Sequence, residues 1–324
     1  MPEQRPVATS QQPAESEDDA TLRMLTNLQD RLYRITAPIL VNNTDLCKGN
    51  ARNLLGFTAK NKYSYSIELA STAERILGLD ERLQVLGVLS GSGASKVGMR
   101  RGDKLLAIEG SSIPTGLNAE RQAAAMLLPL MKNRAAVKLN VLRNNSDVEL
   151  TVPLTYACAF GIELGNSDHV NAYNDGRRVM ITRGMMNFVQ SDNELAYVLA
   201  KEIAHNSLRH ASKQNIVGTV SAIIENLVRI QPDLTTMAGS AGIKAMPQEL
   251  DAEADRLALY MLARAGYKID DAPRFWQRLA TQYPATVLNG YTAIHPGVAH
   301  RLSVIERTVG EIKTKQASRR PLVP

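Results

Sequence analysis

Two cysteines, five histidines and one tryptophan in 324 residues leave little material for several kinds of chemistry. Cys47 and Cys158 are too few for a cysteine-ligated zinc finger or an iron–sulfur centre, so they form either one disulfide or two core thiols. No uninterrupted apolar run approaches the roughly 18 residues of a membrane span, and none is expected. Aromatic residues make up only 5% of the chain. The basic residues are scattered apart from Lys313, Lys315, Arg319 and Arg320, so the net charge of +6 does not point to nucleic acid. The first twenty residues lack the apolar core of a signal peptide and read as a disordered lead-in. Taken as complete, the sequence reads as that of a cytoplasmic protein. Taken as a trimmed mature form, it suits the periplasm or cell envelope.

What is present is ordinary globular composition, 44% hydrophobic and 22% charged. The length predicts two folded units. From Thr21 to about Leu40, apolar residues Leu22, Leu25, Leu28, Leu32 and Ile35 recur at helical spacing, and Pro38 is expected to end or kink that helix. Residues 72–155 have strand character with glycine punctuation. They include a helix from Glu120 to Met131 and two strands, Ala136–Leu142 and Val148–Leu154, joined by Asn144-Asn145-Ser146. The remainder is mostly helical after the strand Val179–Thr182, with Asp192 as the expected N-cap of the helix that follows.

The β-rich stretch resembles a bacterial PDZ domain through Leu77-Gly78-Leu79, Ser92-Gly93-Ala94, Val97-Gly98-Met99 and Arg101-Gly102-Asp103. That resemblance implies a sheet edge beside a loop, Leu77, Gly78 and Leu79, whose amides receive the carboxyl terminus of a bound peptide. The alternative is a small β-domain in which these glycines only make turns.

The last unit carries Lys201-Glu202-Ile203-Ala204-His205, one residue short of the H-E-x-x-H frame in which two histidines one turn apart bind zinc and the glutamate activates water. Around it, in order, stand Val170-Asn171-Ala172-Tyr173, Asp175-Gly176-Arg177, Thr182-Arg183-Gly184, Asp251-Ala252-Glu253-Ala254-Asp255-Arg256, and His295-Pro296 leading to Arg301. This series resembles the HtpX/BepA/Oma-type zinc metallopeptidases of the gluzincin class, within the Ste-type CAAX protease superfamily. The resemblance implies an α+β protein: a mostly helical peptidase domain with a small sheet, interrupted by a PDZ-like domain. The expected parts are a lead-in (1–20), an N-terminal helical part (21–71), the PDZ-like domain (72–155), the peptidase-like domain (156–316) and a tail (317–324).

Carried over residue by residue, the resemblance makes Glu202 the general base and His205 a zinc ligand, places His295 at the cleft, and makes Val179–Thr182 the edge strand that aligns substrate. Lys201 stands where the first histidine ligand belongs and Asp251 where a glutamate ligand belongs, with Asp255 behind them. A protonated lysine has no lone pair for a metal. Asp251 is one methylene shorter than the glutamate it replaces.

The acidic residues suit an internal cation, with the Lys201 ammonium held by Asp255, Asp251 and Glu202. An irregular zinc site of His205, Asp251 and His295 is the competing arrangement, and an exposed helix face carrying Glu202 and His205 with an acidic stripe the plainest one. His210, five residues beyond His205, lies about 140° around an uninterrupted helix and is not expected at the site. His169 and His300 read as surface or structural. The functions implied are a zinc endopeptidase with a degenerate site, weak or inactive, or a pseudopeptidase that binds polypeptides as a chaperone-like or scaffold protein. A disulfide between Cys47 and Cys158 would clamp both ends of the inserted domain, and the Gly/Ala/Ser-rich segment within Ile223–Gln248 would cover the cleft.

Overall fold

The computed structural model describes residues 16–47, 49–165, 167–210, 228–231, 248–283 and 298–324. His295 and, apart from residues 228–231 and Gln248, the expected cleft cover lie outside the described residues.

The first helix, α1 (Glu17–Val41), starts ahead of the expected Thr21, because the Ser16 side chain accepts from the Asp19 amide and three acidic residues fill the positive first turn. Residues 17–20 are therefore helical rather than part of a lead-in. Pro38 does not end the helix, which closes three residues later when the Asn42 amide donates to the Pro38 carbonyl.

Strand β1 (Ala51–Leu54) leads into β2 (Phe57–Lys60), helix α2 (Ile67–Leu77), β3 (Gln84–Val88), the short α3 (Gly93–Lys96), β4 (Lys104–Ile108) and β5 (Ser111–Ser112). Helix α4 (Ala119–Asn133) and the hairpin β6 (Ala136–Arg143) and β7 (Ser146–Pro153) complete a six-stranded sheet in the order β2-β3-β4-β6-β7, with β5 on β4. The hairpin turns at Asn144 and Asn145, both at positive φ, the tight turn their type favours. Because Phe57–Lys60 pairs with Gln84–Val88, this unit begins well before residue 72. It has its own core, in which Phe57, Val85, Leu105, Leu127, Val137 and Leu139 are buried together.

Close approach fixes one corner of this unit. A Cβ on Gly93 would lie 1.8 Å from the Pro153 carbonyl oxygen, so only glycine lets α3 meet the end of β7. The chain leaves through β8 (Thr155–Cys158), which pairs antiparallel with β1, Ala51 opposite Cys158. Beside that ribbon Cys47 and Cys158 form a disulfide with Cα atoms 5.8 Å apart. Both ends of the β-rich unit are thus tied together.

A second sheet is built from β9 (Gly161–Gly165), β10 (Ala172–Asn174), β11 (Arg178–Thr182) and β12 (Val228–Gln231), in the order β10-β11-β9-β12. Strand β11 lies between β10 and β9, so Val179–Thr182 is not an edge. Among the described residues the edge on that side is Ala172–Asn174. Helices α5 (Arg183–Phe188), α6 (Asp192–Ser207), α7 (Gln248–Arg264), α8 (Ala272–Gln282) and α9 (Val298–Ala317) pack with α1 and this sheet around the larger core, which includes Leu32, Ile162, Ile181, Tyr197, Tyr260 and Phe275. The fold is α+β.

Candidate functional site

Helix α6 is held at its start by charge. Ser191, not Asp192, is the N-cap, its side chain accepting from the Glu194 amide. Asp192 receives Arg31 at 2.9 Å and Arg34 at 2.7 Å from α1, and Glu194 receives both terminal nitrogens of Arg278 at 2.8 and 2.7 Å. From Leu195 to Ser207 every residue of α6 is buried, so Lys201, Glu202 and His205 lie in the interior and not on a solvated face.

Helix α7 crosses α6 and brings carboxylates to it. Asp251 Oδ1 lies 3.2 Å from Lys201 Nζ and 3.1 Å from His205 Nε2. Lys201 is only 1% exposed. One turn along α7, Asp255 does not serve Lys201. Arg301 of α9 takes both its oxygens, one of them through Nη2 at 2.7 Å. Burial works against the charge of Arg301, but Asp255, and more distantly Asp251 and Glu202, hold its pKa above the ordinary arginine value. Trp276 of α8 stacks on the Arg301 guanidinium, 4.0 Å from the ring centre, and lies 5.5 Å from Lys201 Nζ. Glu202 is also buried, and Asn174 on the edge strand β10 donates to its Oε2 at 2.6 Å.

His210 joins the site against expectation. The helix stops at Ser207 and Arg209 adopts φ +58°, which turns the chain so that His210 Nδ1 comes 2.9 Å from His205 Nδ1. The 140° offset applies only to a continuous helix. His210 Nε2 lies 3.3 Å from Glu253 Oε2, so a row of side chains runs Lys201, Asp251, His205, His210, Glu253. Neither the break at Arg209 nor the stacking of Trp276 and the reach of Asn174 leaves a signal in sequence spacing. His169 and His300 are exposed, as expected.

The Leu77-Gly78-Leu79 loop, expected to receive a carboxylate, closes a helix in this structure. It ends α2: Gly78 takes the left-handed conformation, and the Gly78 and Leu79 amides both turn to the Ala73 carbonyl. Leu79 is buried with Leu22, Ala73 and Leu86.

The profile of peptidase family M48 matches residues 148–309, half of the chain, and the chain belongs to that family. Among curated relatives, it is 30% identical to the beta-barrel assembly-enhancing protease of Yersinia pestis over 139 residues, 38% of this chain and 29% of that one. It is 26% identical to the mitochondrial metalloendopeptidase OMA1 of Arabidopsis thaliana over 131 residues, 40% of this chain and 27% of that one. The chain thus spans well under two thirds of the length of these relatives. Among solved structures, the HtrA3 PDZ domain bound to a phage-derived ligand aligns with 32% of this chain and 86% of its own, at 15% identity and a TM-score of 0.24.

Proposed function

We propose that this chain is a polypeptide-binding member of the M48 family in which an internal ammonium replaces the metal, so that peptide hydrolysis is lost. The observation that carries the reading is the shared oxygen of Asp251, which faces Lys201 Nζ and His205 Nε2 together. Zinc does not suit this donor set. Lys201 brings N–H donors and no lone pair to the first ligand position. A carboxylate oxygen only accepts, so the His205–Asp251 bond places a proton on Nε2 and removes the lone pair a metal needs, while Nδ1 is turned to His210. Among the described residues no group of three His, Cys, Asp or Glu side chains is arranged to hold a metal ion.

Polypeptide binding is supported by two strands that end their sheets among the described residues. Strand β10 ends its sheet beside Glu202, and β2 ends the six-stranded sheet whose core α4 shares. An extended chain adds to such an edge through its backbone. The disulfide suits an oxidising compartment such as the periplasm. No helix among the described residues is long and apolar enough to cross a membrane.

Metal analysis tests this reading. The purified chain is expected to carry no stoichiometric zinc and to leave casein intact, whereas Lys201→His combined with Asp251→Glu gains zinc. Chelator-sensitive zinc in the unaltered chain, with casein cleavage abolished by Glu202→Gln, would establish a working zinc endopeptidase instead.

A further inference from the structure

At the α6–α7 crossing Asp251 faces Lys201, and Asp255 holds Arg301 through both its oxygens. Glu202 has no such partner among the described residues. It is 2% exposed, and the neutral amide of Asn174 supplies its one hydrogen bond there, at 2.6 Å on Oε2. Arg301 acts on it only through space, its donors being taken by Asp255. The described residues of the crossing thus set three carboxylates against two cations. Packing seals Asn174 Oδ1 and Asp251 Oδ2 from solvent, but not Glu202 Oε1. A buried carboxylate without a cation is costly, and an incoming cation would relieve that cost.

The strand β10 would bring a guest to that carboxylate. The Thr182 amide donates to the Asn171 carbonyl and the Asp175 amide to the Arg178 carbonyl, so the main-chain groups of Asn171, Tyr173 and Asp175 turn toward β11. Alternation along an antiparallel ladder then turns those of Ala172 and Asn174 outward. The Ala172 amide is already taken by Asn171 Oδ1 at 2.8 Å. Asn174 is therefore where this edge offers both a donor and an acceptor to an extended chain. Residues directly opposite in a ladder carry their side chains on the same face, with Cβ atoms about 4.5–5.5 Å apart. The Asn174 side chain lies on the α6 face against Glu202, so a guest residue paired with Asn174 faces Glu202 too.

We infer, resting on the polypeptide-binding reading above, that Glu202 receives the ammonium of a lysine side chain on a polypeptide laid along β10, at the residue paired with Asn174. Lysine suits a recessed carboxylate, because its compact ammonium sits on a slim apolar stem, whereas guanidinium is a broad plane. The net charge of +6 favours acidic guests, so a preference for lysine has to come from a local carboxylate.

Fluorescence anisotropy of the full chain with labelled extended peptides, capped at both ends and alike except for a central lysine, norleucine or glutamate, tests the inference. The lysine peptide is expected to bind about tenfold or more tighter than the norleucine peptide, and the glutamate peptide to bind weakest. In Glu202→Gln, which keeps the shape and removes the charge, the lysine preference should fall to near unity, with thermal unfolding showing the variant folded. Equal binding of the lysine and norleucine peptides by the unaltered chain would overturn the inference without reference to any variant. So would a lysine preference that survives in Glu202→Gln. Binding of none of the peptides would instead overturn the polypeptide-binding reading, and this inference with it.

Discussion

Replacing Lys201 by methionine keeps most of the side-chain volume and removes the ammonium, its charge and its N–H donors together. In the folded chain this leaves the Asp251 carboxylate, itself 1% exposed, without the ammonium 3.2 Å away. Breaking a buried pair from one side typically costs ~3–5 kcal/mol. His205 still donates to the same oxygen at 3.1 Å, which places the expected loss at the lower end, about 3 kcal/mol. For a domain of this size that lowers the melting temperature by roughly 6–12 °C. Asp251→Asn alone should also destabilise, by leaving the ammonium buried. The double variant Lys201→Met/Asp251→Asn should recover to within ~1 kcal/mol of the original, since a neutral pair avoids the desolvation of two ions. Urea unfolding of the four proteins at low and high salt measures this cycle. A loss below ~1 kcal/mol, or one that vanishes in high salt, is the behaviour of an exposed pair and would refute the internal-cation argument.

Two further predictions concern the tertiary ties. The Cys47–Cys158 disulfide closes a separation of 111 residues, so reduction, or serine at both positions, should cost about 2–5 kcal/mol in urea unfolding, and an unchanged midpoint would show that the bond adds nothing. Glu311 on α9 is held well below its ordinary value of 4.5, first by Arg256 and then by Tyr260. A depressed carboxylate contributes stability above its unfolded value and loses it as pH falls toward the folded one, so stability should decline below about pH 4.5. Glu311→Gln should remove about 1 kcal/mol at neutral pH and flatten that acid limb, and an unaltered acid limb would count against the role of this carboxylate.

Much of this molecule is legible in local sequence. The helical spacing of α1, the Asn144-Asn145 turn and the hairpin around it follow from local preferences that tertiary packing did not override. So does the position of Lys201 in the frame of the histidine ligand, because a protonated lysine lacks a lone pair wherever it sits. Expectation and structure part where a residue's role depends on its neighbours in space. Leu77-Gly78-Leu79 has the composition of a binding loop, but the helix ahead of it consumes its amides. The resemblance makes Val179–Thr182 an edge strand, but β10 covers it.

Residue order alone limits the chemistry on offer: few histidines, an ammonium at a ligand position, and two cysteines far apart along the chain. How those groups are shared was settled by packing. It gave Asp255 to Arg301 and Asp251 to Lys201 and His205, and it folded His210 back through the turn at Arg209. A charge buried among helices takes whichever partner the packing brings within hydrogen-bond distance, and spacing along the chain does not specify that partner.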